Sequence, residues 1–484
     1  RKSSNPPNIT SSIGFIPRRF HIYRLEYPQH AISNKMSILA TGPPPMLNKS
    51  NRLYQFIYTF LAVVFINPTA SAAGLADYVQ QKDESYKYEV LDTARIGACD
   101  AHVLKLTSQT WRGIDWWHYV SILIPDNAKK TDKAVLFIGG GSQQSNPPGA
   151  ESNNAKMLAG LAYQAGCPLA ILNQVPNQPL INNLYEDNLI AFTYHKYLLG
   201  GNDNWPLLQP MVKSAVRAMD CTQQYLREKH EQEINGFIVS GASKRGWTTF
   251  LTAAVDKRVI AIAPMVIDVL NMQEQMSHQL KSYGAFSNQI KPYLKYNIPQ
   301  RMETPRGQEL LKLVDPYAYR KMLTMPKLVV LGTNDAYWTV DSSSLYFPGL
   351  PNPKHLYYVP NRGHGLGTSI VPTVAAFFKT SINGNQFDRF VWERDEATLR
   401  AKWDGDAIVR LWQANSENRD FRGSKFSSRV LEGKDNVEFD MDEPESGFRV
   451  YAIEVIRKTK EGLPYSSFSE MHVIPDKYPF PDKK

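Results

Sequence analysis

Along the chain, stretches of alternating apolar and polar residues give way to short continuous apolar runs, each followed by a run of helical period. Tyr86 to Leu91, Val103 to Trp111 and Trp117 to Ile124 predict three strands, an antiparallel lead-in to a mixed sheet. Ala134 to Ile138 is a short unbroken apolar run, as a parallel strand buried on both faces requires. From there strands and helices alternate. Asn154 to Gln164 predicts a helix closed by Gly166, Pro168 to Val175 a strand, Leu207 to Arg227 a long helix and Ile234 to Ser240 a strand. Trp247 to Val255 is helical, and Val259 to Val266, Lys327 to Leu331 and His355 to Val359 are strands, with a last helix over Ile370 to Lys379. Such alternation implies a parallel sheet with helices on both faces, the α/β class.

Two stretches break the rhythm. Residues 180–206 and 270–325 are too long for plain connections in a compact domain and read as cap insertions. Near residue 386 the texture changes again. Short alternating runs, Ala407 to Trp412, Val437 to Phe439 and Phe448 to Val455, are separated by Asn, Gly and Asp, which predicts a small C-terminal β-sandwich over 386–484 beside a main domain over 73–385. The first 45 residues, rich in Pro, Ser, Asn and Arg, show no period and read as disordered or mis-translated leader. Residues 46–72 read as a signal peptide: Lys49 and Arg52, then an apolar stretch from Leu53 to Ile66, then Ala70-Ser71-Ala72 as a cleavage pattern. That apolar stretch is short for a membrane span, which takes about 20 residues. The expectation is a secreted or periplasmic protein with no stable membrane span after cleavage.

Charge changes this picture little. The formal net charge is +9, but residues 1–72 hold 8 Lys+Arg and 1 Glu, +7 of it, which leaves +2 for the rest. No stripe of basic residues interleaved with aromatics is present, so nucleic acid is not an expected partner. Cys99, Cys167 and Cys221 allow at most one disulfide, and neither a Cys-x-x-Cys nor a zinc spacing occurs. No cofactor or metal is expected.

The candidate chemistry sits at strand ends. In Ser240-Gly241-Ala242-Ser243-Lys244-Arg245-Gly246 a strand meets a small-residue turn and then a helix, as a nucleophile elbow does. The usual Gly-x-Ser-x-Gly is imperfect, since Arg245 holds the last glycine's place and Gly246 follows. By itself this equally describes an ordinary strand-to-helix turn. Asp335 follows the strand ending at Leu331, and His364 follows the one ending at Val359. Each alone reads as a plain loop residue. Together, serine, then aspartate, then histidine, each just past a strand, is the order of an acyl-transfer triad on such a sheet: Ser243 nucleophile, His364 base, Asp335 its orienting acid. Gly139-Gly140-Gly141 after the first buried strand reads as an oxyanion loop, with Gly140 or Gly141 and the N–H of Lys244 as donors, or else as a plain flexible strand-end loop. Glu186 and Asp187 read either as an amine-recognising pair or as a solvated helix start. Arg245, Tyr337 and Trp338 are substrate-side candidates or plain packing.

Several of these segments resemble the PhoPQ-activated pathogenicity-related protein family. They are Glu186 to Thr193 with Trp205-Pro206, Ala215 to Asp220, Gly241 to Thr249, Gly332 to Trp338, Trp412-Gln413-Ala414 and Arg419 to Arg422. The resemblance runs from about Tyr78 to Pro475. It implies an exported protein of α/β-hydrolase fold, with Ser243, Asp335 and His364 in the three roles and Arg245 as part of the family's own elbow. The family includes a secreted proliferation repressor of a social amoeba. The expected activity is that of a serine hydrolase on a small-molecule or peptide substrate, an ester rather than a peptide. The alternatives are an aminopeptidase-type serine peptidase, or a signalling or binding protein that keeps the fold without essential turnover.

Overall fold

Nine strands carry the body of the protein, β1 (Lys87–Ile96), β2 (Cys99–Trp111), β3 (Ile114–Pro125), β4 (Lys133–Ile138), β5 (Leu169–Leu172), β6 (Gly236–Ala242), β7 (Val259–Met265), β8 (Lys327–Gly332) and β9 (Lys354–Val359). They were traced in a computed structural model that describes residues 74–128 and 131–483. The leader and signal peptide assigned to 1–45 and 46–72 lie outside the described residues. Among the described residues no helix is long and apolar enough to cross a membrane.

The strand order is β1-β2-β3-β5-β4-β6-β7-β8-β9. β1 to β3 form an antiparallel meander, β3 pairs antiparallel with β5, and every neighbouring pair from β5 to β9 is parallel. Local chemistry sets the meander. Arg112 and Gly113, at φ 54° and 77°, make the two-residue turn between Trp111 and Ile114, where a right-twisted hairpin needs two positive φ angles. The parallel strands are apolar because both faces are covered, and all six residues of β8 are buried. Helices Asn153–Ala165, Leu208–His230, Lys244–Val255 and Val371–Ile382 are the crossovers and the closing element. This is the α/β-hydrolase fold.

The C-terminal strands are continuous with the main sheet. β9 meets β16 (Pro464–Phe468) at Leu356 and Phe468, and beyond it lie β15 (Phe448–Lys458), β12 (Ile408–Ser416) and β13 (Ser427–Leu431), with β17 (His472–Ile474) on β15. A second sheet, β10 (Phe390–Asp395), β11 (Thr398–Trp403) and β14 (Asn436–Asp440), packs on this extension. Leu399 and Trp403 from one layer and Leu411, Ile453 and Val455 from the other share a small core of their own.

The stretches that broke the rhythm contain helices. Glu186–Leu198 lies in the first, and Met272–Tyr283, Lys291–Leu294, Ile298–Arg301 and Pro305–Val314 lie in the second. A buried ion cluster ties the second stretch to the C-terminal strands. Asp341 accepts from His278 at 2.8 Å and from Arg419 at 2.7 Å, and Arg419 also donates to the Lys477 carbonyl. Burial opposes the charge of Asp341, but His278 and then Arg419 hold it well below the usual carboxylate range. Cys99, Cys167 and Cys221 are all free thiols and buried.

Candidate active site

Ser243 sits at the junction of β6 and helix Lys244–Val255 with φ 58° and ψ −128°, a conformation that a residue with a side chain rarely holds. The surrounding packing enforces it. Its N–H donates to the Met265 carbonyl at the end of β7 at 2.8 Å. A Cβ on Gly241 would lie 2.8 Å from the Arg245 carbonyl oxygen, and one on Gly246 2.8 Å from Ile267 and 2.9 Å from the Gly241 carbonyl oxygen. The two glycines therefore let the turn close on itself. Gly246, one place later than the usual pattern, supplies the close approach to Gly241. Val266, directly after β7, is also at positive φ, 45°, and stands on the same cavity wall as Ser243. Strain of this kind costs on the order of 1–3 kcal/mol per residue and gathers at functional sites.

His364 lies on the loop after β9 and Asp335 on the loop after β8. The ring Nδ1 of His364 is 2.8 Å from Asp335 Oδ2, and Asp335 Oδ1 accepts from the Tyr337 N–H at 3.0 Å. The carboxylate is buried and the imidazole partly exposed. Tyr337 packs on the imidazole, with ring centroids 4.5 Å apart. Ser243 and His364 line one cavity, together with Lys244, Asp187, Tyr337 and Trp338. Among the described residues no hydrogen bond joins Ser243 Oγ to His364.

Arg245 turns away from this cavity. Its Nη1 and Nη2 donate to the two carboxylate oxygens of Glu186 at 2.9 and 2.6 Å, and its Nε donates to the Val175 carbonyl. The guanidinium lies so close over Gly140 that a Cβ there would be 2.8 Å from Nη2. Glu186 is further held by Lys244 Nζ at 2.8 Å, and the Gln178 side chain exchanges two hydrogen bonds with it. Burial raises the pKa of Glu186, but the hydrogen bonds and charge of Arg245, with help from Lys244, outweigh it and hold the group at about 2. Glu186 thus opens helix Glu186–Leu198 as an ion-paired brace to the elbow, not as a solvated start.

Asp187 faces the cavity and is also satisfied. Tyr293 donates to Oδ1 at 3.1 Å, Tyr337 donates to Oδ2 at 3.2 Å, and Lys244 Nζ lies 3.5 Å from Oδ2. Both tyrosine hydroxyls have their pKa raised, by burial first and then by the Asp187 charge. Gly140 and Gly141 flank this arrangement without lining the cavity. Their carbonyls accept from Gln174 N–H and Gln178 Nε2, and among the described residues their own N–H groups have no acceptor. Lys244 is the first residue of its helix, so its N–H has no intrahelical partner.

Three contributors carried no local sequence signal. Tyr293 reaches Asp187 across 106 positions. The methionines Met272, Met276 and Met302 of the second insertion wall the cavity. Asp268, three residues past β7, is buried with Tyr346 donating to it at 2.5 Å. Burial, opposed by the Tyr346 hydrogen bond and reinforced by the charges of Asp335 and Asp341, raises its pKa to about 7. Among the described residues no group of His, Cys, Asp or Glu side chains could hold a metal ion.

The fold and the strand-end placement of these residues define the class, an α/β-hydrolase-fold protein with a serine at the elbow. The chain belongs to the PhoPQ-activated pathogenicity-related protein family, which it matches over residues 75–422. It is 31% identical over 404 residues to autocrine proliferation repressor protein A of Dictyostelium discoideum, covering 77% of this chain and 79% of that protein. Among solved structures it is similar to acetyl xylan esterase 1 from a Thermoanaerobacterium species, with 16% identity, 60% of this chain and 86% of that one covered, and a TM-score of 0.44. A glucuronoyl esterase from Solibacter usitatus has 13% identity, the same coverages of 60% and 86%, and a TM-score of 0.37.

Proposed function

We propose that the protein is an exported serine hydrolase acting on carboxylic esters. Ser243 Oγ attacks the ester carbonyl carbon while His364 Nε2 takes the hydroxyl proton. The carbon–oxygen bond to the alcohol breaks, and the alcohol leaves with that proton. Water then attacks the acyl-enzyme with His364 again as base, which releases the acid and restores Ser243. Asp335, on Nδ1, fixes the tautomer and stabilises the imidazolium. The N–H of Lys244, with that of Gly140 or Gly141, receives the oxyanion.

The observation that carries this reading is the conjunction of a left-handed serine at the elbow with a histidine–aspartate pair 2.8 Å apart, serine and histidine on the wall of one cavity. The open contact between Ser243 and His364 is compatible with it, since such hydrogen bonds often tighten only when substrate binds. An ester is favoured over an N-terminal peptide because Glu186 and Asp187 are already matched by Arg245, Lys244 and two tyrosines. An incoming ammonium finds no free carboxylate there. The test is turnover of p-nitrophenyl butanoate by the purified protein and by Ser243→Ala. A loss of about 10³-fold or more is expected; equal rates in the two proteins would sink the reading.

A second reading has one observation behind it, the likeness to a relative named as a proliferation repressor. In that case the fold serves signalling or binding, and Ser243→Ala keeps the biological effect in full.

A further inference from the structure

The cavity beside Ser243 has a composition that specifies what can enter it, given the hydrolase reading on which this inference rests. Most of its wall is apolar. Met272, Met276, Ile290 and Met302 come from the second insertion, and Trp247 and Trp338 from the body. Among the described residues, only two ionic side chains besides His364 reach it, Lys244 and Asp187, and they are matched to each other and to Glu186, Tyr293 and Tyr337. Their charges are matched inside the wall. A charged group entering here would lose its hydration and find no free counter-charge, which a buried site penalises strongly. An apolar group would instead exchange water for methionine and tryptophan surface. The space is small, a cavity of about 60 Å³.

We infer that this cavity is the acyl pocket, and that it takes a short, uncharged, apolar acyl chain. The leaving alcohol is then outside it. The three methionines are the specificity-determining residues, since their unbranched side chains set the depth of the pocket and can adjust to it.

The experiment compares kcat/KM for p-nitrophenyl acetate, butanoate and octanoate, and for the mono-succinyl and glycyl esters of the same phenol. Each methylene that the pocket buries is worth about fourfold, so butanoate, with two more than acetate, is expected to exceed it by about 15-fold. Octanoate should fall below butanoate, and the two charged acyl esters should fall at least 100-fold below it, as an order of magnitude. Met276→Ala should move the optimum to longer chains and Met276→Phe to shorter ones. Met276 is only partly buried, and Met272→Ala provides a second variant should that position disturb folding. Equal or better turnover of the succinyl or glycyl ester overturns the inference, as does a chain-length profile unmoved by all three methionine variants. If Ser243 reacts with a small fluorophosphonate and the profile is still flat, the pocket assignment fails while the hydrolase stands. If neither labelling nor any ester turnover occurs, the hydrolase reading falls and takes this inference with it.

Discussion

Restoring the common elbow pattern by Arg245→Gly is expected to damage the protein. The guanidinium makes two charge-assisted bonds to Glu186 and one to the Val175 carbonyl, and its side chain is 11% exposed. Removing one partner of a buried ion pair costs about 3–5 kcal/mol. Two facts reduce that here. Glu186 is 36% exposed, and Lys244 continues to hold it. The remaining loss is about 2–3 kcal/mol, to which glycine in a helix adds up to about 1 kcal/mol. The expected destabilisation is therefore about 3 kcal/mol. Urea unfolding followed by tryptophan fluorescence measures it. A double-mutant cycle with Glu186→Gln isolates the pair and should give a coupling of about 1.5 kcal/mol or more. Arg245→Lys keeps the charge and loses the two-pronged geometry, so it should recover only part of the stability. An Arg245→Gly protein within about 0.5 kcal/mol of the parent would refute the reasoning, because 0.5 kcal/mol is what an ordinary surface change costs.

The other predictions concern different parts of the molecule. Asp335→Asn should lower kcat for ester hydrolysis by about 10³–10⁴-fold with KM little changed, since the aspartate touches the histidine and not the substrate. Asp268 has its pKa raised from 3.8 to about 7, so its contribution to stability is complete below pH 3.8 and is lost as pH rises through 7. Asp268→Asn should accordingly gain on the parent between about pH 4 and 7, read as a flatter plot of unfolding free energy against pH. Glu186 runs the other way. Held at about 2 against 4.5, it stabilises above pH 4.5 and loses that contribution as pH falls towards 2, a loss that Glu186→Gln should abolish. Arg419→Met leaves Asp341 buried with His278 alone and should cost about 3–5 kcal/mol in chemical denaturation.

Much of the sheet could be read from the chain because buried parallel strands leave short apolar runs whatever surrounds them. Lys327 to Leu331 and Ala134 to Ile138 are such runs, and both are strands of the structure. The elbow was legible through its small residues and the strand before it. The join between β9 and β16 was not, because it rests on one pair, Leu356 with Phe468, more than 100 positions apart. The same limit applies around the serine. Glu186 and Arg245 are 59 positions apart and Asp187 and Tyr337 are 150 apart. No periodicity marks such pairs, so an acidic pair beside a helix start looked solvated or substrate-binding. Asp268 gave no signal either, since a carboxyl three residues past a strand is ordinarily a turn residue and only the packing of Tyr346 and the neighbouring strands buries it.

The two long connections, 180–206 and 270–325, acquire their meaning from the same geometry. Helix Glu186–Leu198 begins at the elbow brace, and the second insertion supplies the methionine wall. A change in either insertion therefore reaches the serine by a physical route, through Arg245 and Glu186 in one case and through the cavity surface in the other.

Reaction of the folded protein with a small alkyl fluorophosphonate, followed by peptide mapping in a mass spectrometer, tests the central claim most directly. The account predicts one stoichiometric adduct on Ser243 near neutral pH, slowed strongly in Asp335→Asn and absent in Ser243→Ala and in urea-unfolded protein. A folded protein that leaves Ser243 unmodified, or that labels equally well in Ser243→Ala, would contradict it.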